Sequence, residues 1–222
     1  MTPEVVRLAV VAPPMRSYRR CEHCEGVFVV PSEHLSAADE AAFYNLHENS
    51  SSDSRYRNYL SPVLEMAWKA IATNSEARGA GARALYFGSG PLEPDEESVV
   101  CEFFRERGFV ADAYDPYFRP AALESAGYDV IVACEVVEHF REPASEFEKL
   151  TSLVRGGGLL VIQTEFFPGL EKFDSWYYRR DPTHVVFYAP KTFDVLAARF
   201  GFVVSEMQDG KRVVLRKACQ GF

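Results

Sequence analysis

No apolar run in this chain approaches the roughly 20 residues that span a bilayer, so no membrane-crossing segment is expected. The Met1–Ala12 segment places Glu4 and Arg7 inside what would be the apolar core of a signal peptide, and the expected location is cytoplasmic. A basic excess is also lacking. The 24 Lys and Arg face 32 Asp and Glu, for a formal charge of −8, which argues against nonspecific binding to nucleic acid or to an anionic membrane surface. A small or locally recognised substrate fits better. The five cysteines (Cys21, Cys24, Cys101, Cys134 and Cys219) are odd in number, and two of them fall in an expected helix and an expected buried strand; this excludes a disulfide framework. There is no internal repeat, and nothing in the sequence sets an oligomeric state.

What is present is a chain of 222 residues, 47% hydrophobic, enough for one filled domain and an appendage. Residues 1–55 differ in texture, with Arg16, Arg19 and Arg20, the pair Cys21 and Cys24, and a polar stretch at 49–54; they read as an N-terminal extension to a domain spanning 56–222. From Tyr59, the spacing of Leu60, Val63, Leu64, Ala67 and Ile71 predicts an amphipathic helix, with Ser61 and Pro62 in its first turn, that packs on a sheet and closes a site from above.

Strand and helix signals then alternate. Strands are expected at 83–88, 109–115, 128–134 and 159–164; helices are expected at 96–107 and over Phe147, Leu150 and Val154, the latter stopped by Gly156, Gly157 and Gly158. Alternation of this kind implies parallel pairing through right-handed crossovers. A helix at 190–200 capped by Gly201, then strands at 202–207 and 212–216 about the Asp209–Gly210 turn, predict a closing antiparallel hairpin. The expected fold is α/β: a doubly wound, Rossmann-like, mainly parallel sheet.

Three segments end abruptly in small or acidic residues, as strands do when they deliver their carboxyl ends to a ligand crevice. Gly88-Ser89-Gly90 lets the backbone turn tightly, although alone it reads equally as an ordinary turn. A dinucleotide fingerprint needs glycine at position 93; Glu93 there argues against NAD or FAD. Asp115, 27 positions after Gly88, can accept from both hydroxyls of a ribose or can simply open an Asp-Pro turn with Pro116. Tyr117 and Phe118 can cover an adenine ring or belong to the core. The run Cys134-Glu135-Val136-Val137-Glu138-His139 is the most specific. Its Glu138–His139 pair can orient or deprotonate a nucleophile, or only cap a helix end.

Together these segments resemble the nucleotide-binding half of a class I S-adenosylmethionine-dependent methyltransferase, of the type 11 or type 23 kind, over residues 81–217. The resemblance implies cofactor contacts at Gly88, Ser89, Gly90, Asp115, Pro116, Tyr117, Cys134, Glu135 and Val136. It implies catalytic roles for His139 and His184, with ordinary pKa values near 6.5 suited to a base at neutral pH. The aromatic segment 176–188 matches the loop that closes over the substrate, so that Glu138, Trp176, Tyr178 and Arg179 would face a small-molecule acceptor while Arg180 stays in water. In the family an acidic residue commonly stands where Tyr86 does and a glycine where Leu92 does. These departures keep open a noncatalytic binding or interaction module of the same fold. Cys21 and Cys24 form half of a zinc site, which His23, His34 or His47 would have to complete.

Overall fold

The computed structural model describes residues 16–44, 50–73, 81–92 and 96–219. Six strands form the central sheet: β3 (Arg83–Phe87), β4 (Val110–Tyr114), β5 (Tyr128–Cys134), β6 (Val154–Gln163), β8 (Phe202–Gln208) and β9 (Arg212–Lys217). Their order is β4-β3-β5-β6-β9-β8, parallel from β4 to β6 and antiparallel at β6–β9 and β9–β8. The fold is therefore the expected Rossmann-like one with a closing hairpin.

β5 is buried along its whole length, and its side chains alternate between two cores. Tyr128, Ile131 and Ala133 face one; Val130, Val132 and Cys134 face the other. The first core is closed by α4 (Pro143–Leu153) and α6 (Pro190–Phe200), the second by α2 (Ser54–Thr73) and α3 (Val99–Arg105). Each aliphatic side chain enclosed in this way contributes about 1.5–3 kcal/mol, which is why a strand read as continuously apolar lies in the middle of the sheet.

A second, three-stranded sheet joins β1 (Tyr18–Arg20) and β2 (Val27–Val29) to β7 (Val186–Phe187), all antiparallel. Tyr18, Val27 and Val29 thus sit in the first core beside Phe173 and Phe187. Within the segment read as an N-terminal extension, β1 and β2 pack against the main body, and a helix α1 (Ala37–Tyr44) comes after them.

Three expected boundaries change. Pro62 lies in the middle of α2, not in its first turn. The carbonyl of Asn58 that it leaves without an N–H belongs to an exposed turn, where water can serve it. α3 is shorter at both ends than the expected 96–107, and its start is set by Ser98, whose side chain accepts from Val100 N at 3.2 Å. Val154 begins β6, and Gly156–Gly158 lie within that strand. A Cβ on Gly158 would fall 3.0 Å from the carbonyl oxygens of Arg155 and Asp129, at the register shift between β5 and β6, so glycine is needed there for close backbone approach.

Candidate functional site

The carboxyl ends of β3, β4 and β5 border a cavity of about 980 Å³. Beyond β3 the chain turns at Gly88, with φ +77°, where a Cβ would lie 2.4 Å from Val136 Cγ2. Glycine is therefore dictated by the approach of the turn after β5. Gly88 N and Ser89 N both donate to Tyr114 O, at 2.8 and 3.1 Å. This folds Ser89 behind the turn: its side chain is fully buried, and Gly88, Gly90 and Pro91 line the cavity instead. Ser89, an expected cofactor contact, presents no side chain to the cavity.

Asp115 is buried and anchors this region. Its Oδ2 accepts from Gly90 N at 2.9 Å; its Oδ1 accepts from Tyr117 N at 2.8 Å and Phe118 N at 3.1 Å. A carboxylate offers about four acceptor positions, so one remains, on Oδ2. Accepting from two ribose hydroxyls at once does not fit this arrangement; accepting from one does. Pro116, Tyr117 and Phe118 line the cavity beside it.

After β5, Glu135 adopts φ +52°, a left-handed conformation that costs a non-glycine residue about 1–2 kcal/mol. It is held there by its N–H to Gln163 O at 2.8 Å and by two phenols, Tyr59 donating to Oε1 at 2.6 Å and Tyr178 to Oε2 at 2.8 Å. Tyr178 also bonds Oε1 of Glu138, which is fully enclosed. Burial, and then the charge of Glu135, push the Glu138 carboxyl well above the usual carboxylate range. Cys134 and Val136 line the cavity too; burial and the two glutamates push the Cys134 thiol far up, which makes it inert as a nucleophile.

His139 and His184 both reach the cavity wall, their ring centroids 4.8 Å apart. His139 Nδ1 lies 3.2 Å from Thr183 O, and His184 Nδ1 lies 2.7 Å from Tyr178 O, contacts that put the ring protons on the Nδ1 atoms. Burial, and then the charge of His139, push His184 down to about 3, despite Asp181 at 3.8 Å. The expected pKa near 6.5 is thereby corrected. A neutral imidazole this weakly basic is a poor proton acceptor at neutral pH.

The aromatic segment divides differently from expectation. Tyr178 lines the cavity, but Trp176 packs against Phe173 and Phe187, and Arg179 turns inward to Tyr18 and the Asp174 carbonyl. Arg180 takes the lining position that Arg179 was expected to have. The single turn of 3-10 helix at Tyr177–Arg180 sets which arginine faces inward. Glu138 lies beneath the wall, behind Tyr178. Not named individually as site residues from the sequence were Glu40 and Tyr44 of α1, Tyr56 and Tyr59 of α2, and Tyr177, all at the wall. The α2 phenols fall at i and i+3 ahead of Leu60, the one sequence signal that could have found them. Carboxylates (Glu40, Asp115, Glu135, Glu142, Glu146, Asp181) outnumber cations (Arg141, Lys149, Arg180) around the cavity.

Segment 179–184 is fastened from the far end of the chain. The buried Arg16 guanidinium donates to four carbonyl oxygens: Pro182 at 3.2 Å and His184 at 2.8 Å through Nη1, Arg179 at 2.5 Å and Asp181 at 2.8 Å through Nη2.

The Cys21–Cys24 turn lies away from the cavity, and burial pushes the Cys24 thiol up. His34 Nε2 is 3.2 Å from Val29 O, and among the described residues no third ligand joins the cysteines; His47, like Glu93, lies outside the described residues. No helix among the described residues is long and apolar enough to cross a membrane.

Residues 56–206 match the family described as a methyltransferase domain. The chain belongs to this methyltransferase family. The solved structures it resembles include the DszA carbon methyltransferase, at TM-score 0.51 and 13% identity over 82% of this chain and 58% of that longer one. They also include a chain from the Haloferax volcanii complex with the Trm112 methyltransferase activator, at TM-score 0.50 and 11% identity over 81% and 97%. At these identities the likeness carries the fold, which is the class I fold of S-adenosylmethionine-dependent methyltransferases. No curated protein sequence matches the chain.

Proposed function

We propose that this methyltransferase-family chain transfers a methyl group from S-adenosylmethionine to a small, largely apolar acceptor. The observation that carries the reading is the convergence of Gly88–Pro91, Asp115–Phe118 and Cys134–Val136, from three adjacent parallel strands, on one cavity. At about 980 Å³ that cavity stands at the top of the range of about 300–1,000 Å³ usual for ligand sites, with room for a nucleoside and a second small molecule. The residues fit the cofactor: a spare acceptor on Asp115 Oδ2 suits one ribose hydroxyl, Tyr117 and Phe118 suit the adenine face, and the carboxylate excess suits a sulfonium cation and an ammonium group. When bound, S-adenosylmethionine supplies an electrophilic methyl on a sulfur that leaves as a neutral thioether.

The chain's own contribution is alignment and exclusion of water, which together can lower a barrier by several kcal/mol. Tyr59 and Tyr178 fix the Glu135 carboxylate, while Phe43, Tyr44, Phe140 and Tyr177 enclose the acceptor end. His139 and His184 present polar edges there. Glu138 acts through Tyr178, holding that phenol in place, and Arg180 is the cation available to an acidic acceptor. The second reading, a noncatalytic module, is favoured by one observation: Tyr86, buried where the family commonly has an acid, bonds Tyr56 OH at 3.3 Å and occupies cavity wall.

Calorimetry with S-adenosylhomocysteine tests the reading. Saturable one-to-one binding is expected, weakened about tenfold or more by Asp115→Ala, since charge-assisted hydrogen bonds contribute roughly 1.5–3 kcal/mol. Binding unaffected by Asp115→Ala would put the ligand elsewhere, and no binding at all would favour the noncatalytic module.

A further inference from the structure

We propose that Glu138, His139 and His184 form a binding site for one divalent transition-metal ion, of the zinc class, in the wall of the cavity. One ligand atom from each lies within 4.8 Å of the other two. An ion held at about 2.0–2.1 Å by nitrogen and oxygen sets tetrahedral neighbours about 3.4 Å apart, which side-chain rotations of about 1 Å each would reach. Two imidazoles and one carboxylate on one side of an ion, with the remaining positions open, is a ligand set suited to a zinc-class cation that also takes an exogenous oxygen or nitrogen.

Two further observations point to a cation. The first is Glu138 itself: it is 0% exposed, and its Oε2 makes no hydrogen bond among the described residues, although Oε1 is taken by Tyr178. An enclosed carboxyl oxygen without a partner is costly and calls for an explanation. A metal ion seated between the three side chains would supply that missing partner. The second is the orientation of the histidines. Each directs Nδ1 to a backbone carbonyl, Thr183 for His139 and Tyr178 for His184, which fixes the tautomer with the lone pair on Nε2. Outer hydrogen bonds of this kind hold ligating imidazoles in metalloproteins. Asp181 Oδ2, 3.8 Å from His184 Nε2, adds negative charge beside the ion. His139 and His184 both line the cavity, so a bound ion would be open to a ligand there; Cys21 and Cys24 take no part.

The test uses the full chain stripped with a chelator and titrated with Co²⁺, without S-adenosylmethionine, so that its outcome is independent of methyl transfer. One ion per chain is expected, with visible d–d absorption and no thiolate-to-metal charge-transfer band. Affinity should fall at least tenfold in Glu138→Gln and in His139→Gln, because losing an outer-shell partner alone typically costs 10–100-fold. Circular dichroism of the metal-free variants checks that they fold; His139 is half-exposed, so His139→Gln carries the test if Glu138→Gln does not fold. Absence of binding, a thiolate band alone, or affinity unchanged in a folded His139→Gln would each refute the site.

Discussion

The Arg16 clamp can be removed while an unbranched apolar stem is kept, by Arg16→Met. Four carbonyl oxygens spread over residues 179–184 share this one guanidinium, and together they set the position of Tyr178, Arg180 and His184 at the cavity. Hydrogen bonds to a charged group are worth roughly 1.5–3 kcal/mol each. They are not additive here, because all four come from two nitrogens of one guanidinium and two of them are only part-buried. Loss of about 3 kcal/mol is the expected net effect, the upper end for one hydrogen bond to a charged group. For a chain of this size that lowers the melting temperature by about 6–12 °C. Hydrogen exchange followed by mass spectrometry should show the loss concentrated in peptides covering 177–186 and 16–29, with the hairpin β8–β9 unchanged. Arg16→Lys should recover less than half, since an ammonium is a point donor and cannot span carbonyls on both sides of a fork. An unchanged melting temperature in Arg16→Met, or exchange that rises evenly over the chain, would show that the guanidinium does not hold the segment.

Gly88→Ala should destabilise the fold by about 2–4 kcal/mol, from a clash with Val136 and from left-handed backbone strain. Gly88→Ala with Val136→Ala should relieve the clash and leave the strain; if urea denaturation shows no recovery in the double variant, Val136 is not what requires glycine. For His184 the folded chain stays neutral to about pH 3, whereas the unfolded chain takes up a proton near 6.5, so stability is full above about 6.5 and falls as the pH drops toward 3. At about 1.4 kcal/mol per unit, the metal-free chain should lose about 2 kcal/mol between pH 6.5 and 5 that His184→Gln does not lose, and parallel pH profiles for the two would place the imidazole in water.

The parts of the fold that were legible in the sequence are those where local and tertiary demands coincide. Tyr128–Cys134 is buried on both faces, so every position carries the same apolar signal, and Pro190–Phe200 has proline at its first turn and Gly201 in the left-handed region at its end. Gly156–Gly158 misled because three glycines look like a stop, whereas Gly158 serves a close backbone approach to Asp129, distant in sequence. The turns after β3, β4 and β5 were found because glycine and acidic residues mark strand ends. The orientation of Ser89, the inward turn of Arg179 and the acceptors already used on Asp115 depend on hydrogen bonds that no spacing encodes. Arg16 was unremarkable among neighbouring arginines, since its four partners lie more than 160 positions away.

That same separation gives the chain an order of assembly. Val27 pairs with Phe187, so β1 and β2 leave the ribosome 160 residues before the strand that completes their sheet. At synthesis rates of about 5–20 residues per second, the hairpin waits roughly 8–30 s with its edge open. During that interval Tyr18, Val27 and Val29 have no core to enter, because Phe173 and Phe187 have not yet been made. β1 and β2 are thus translated well before the strand that secures them.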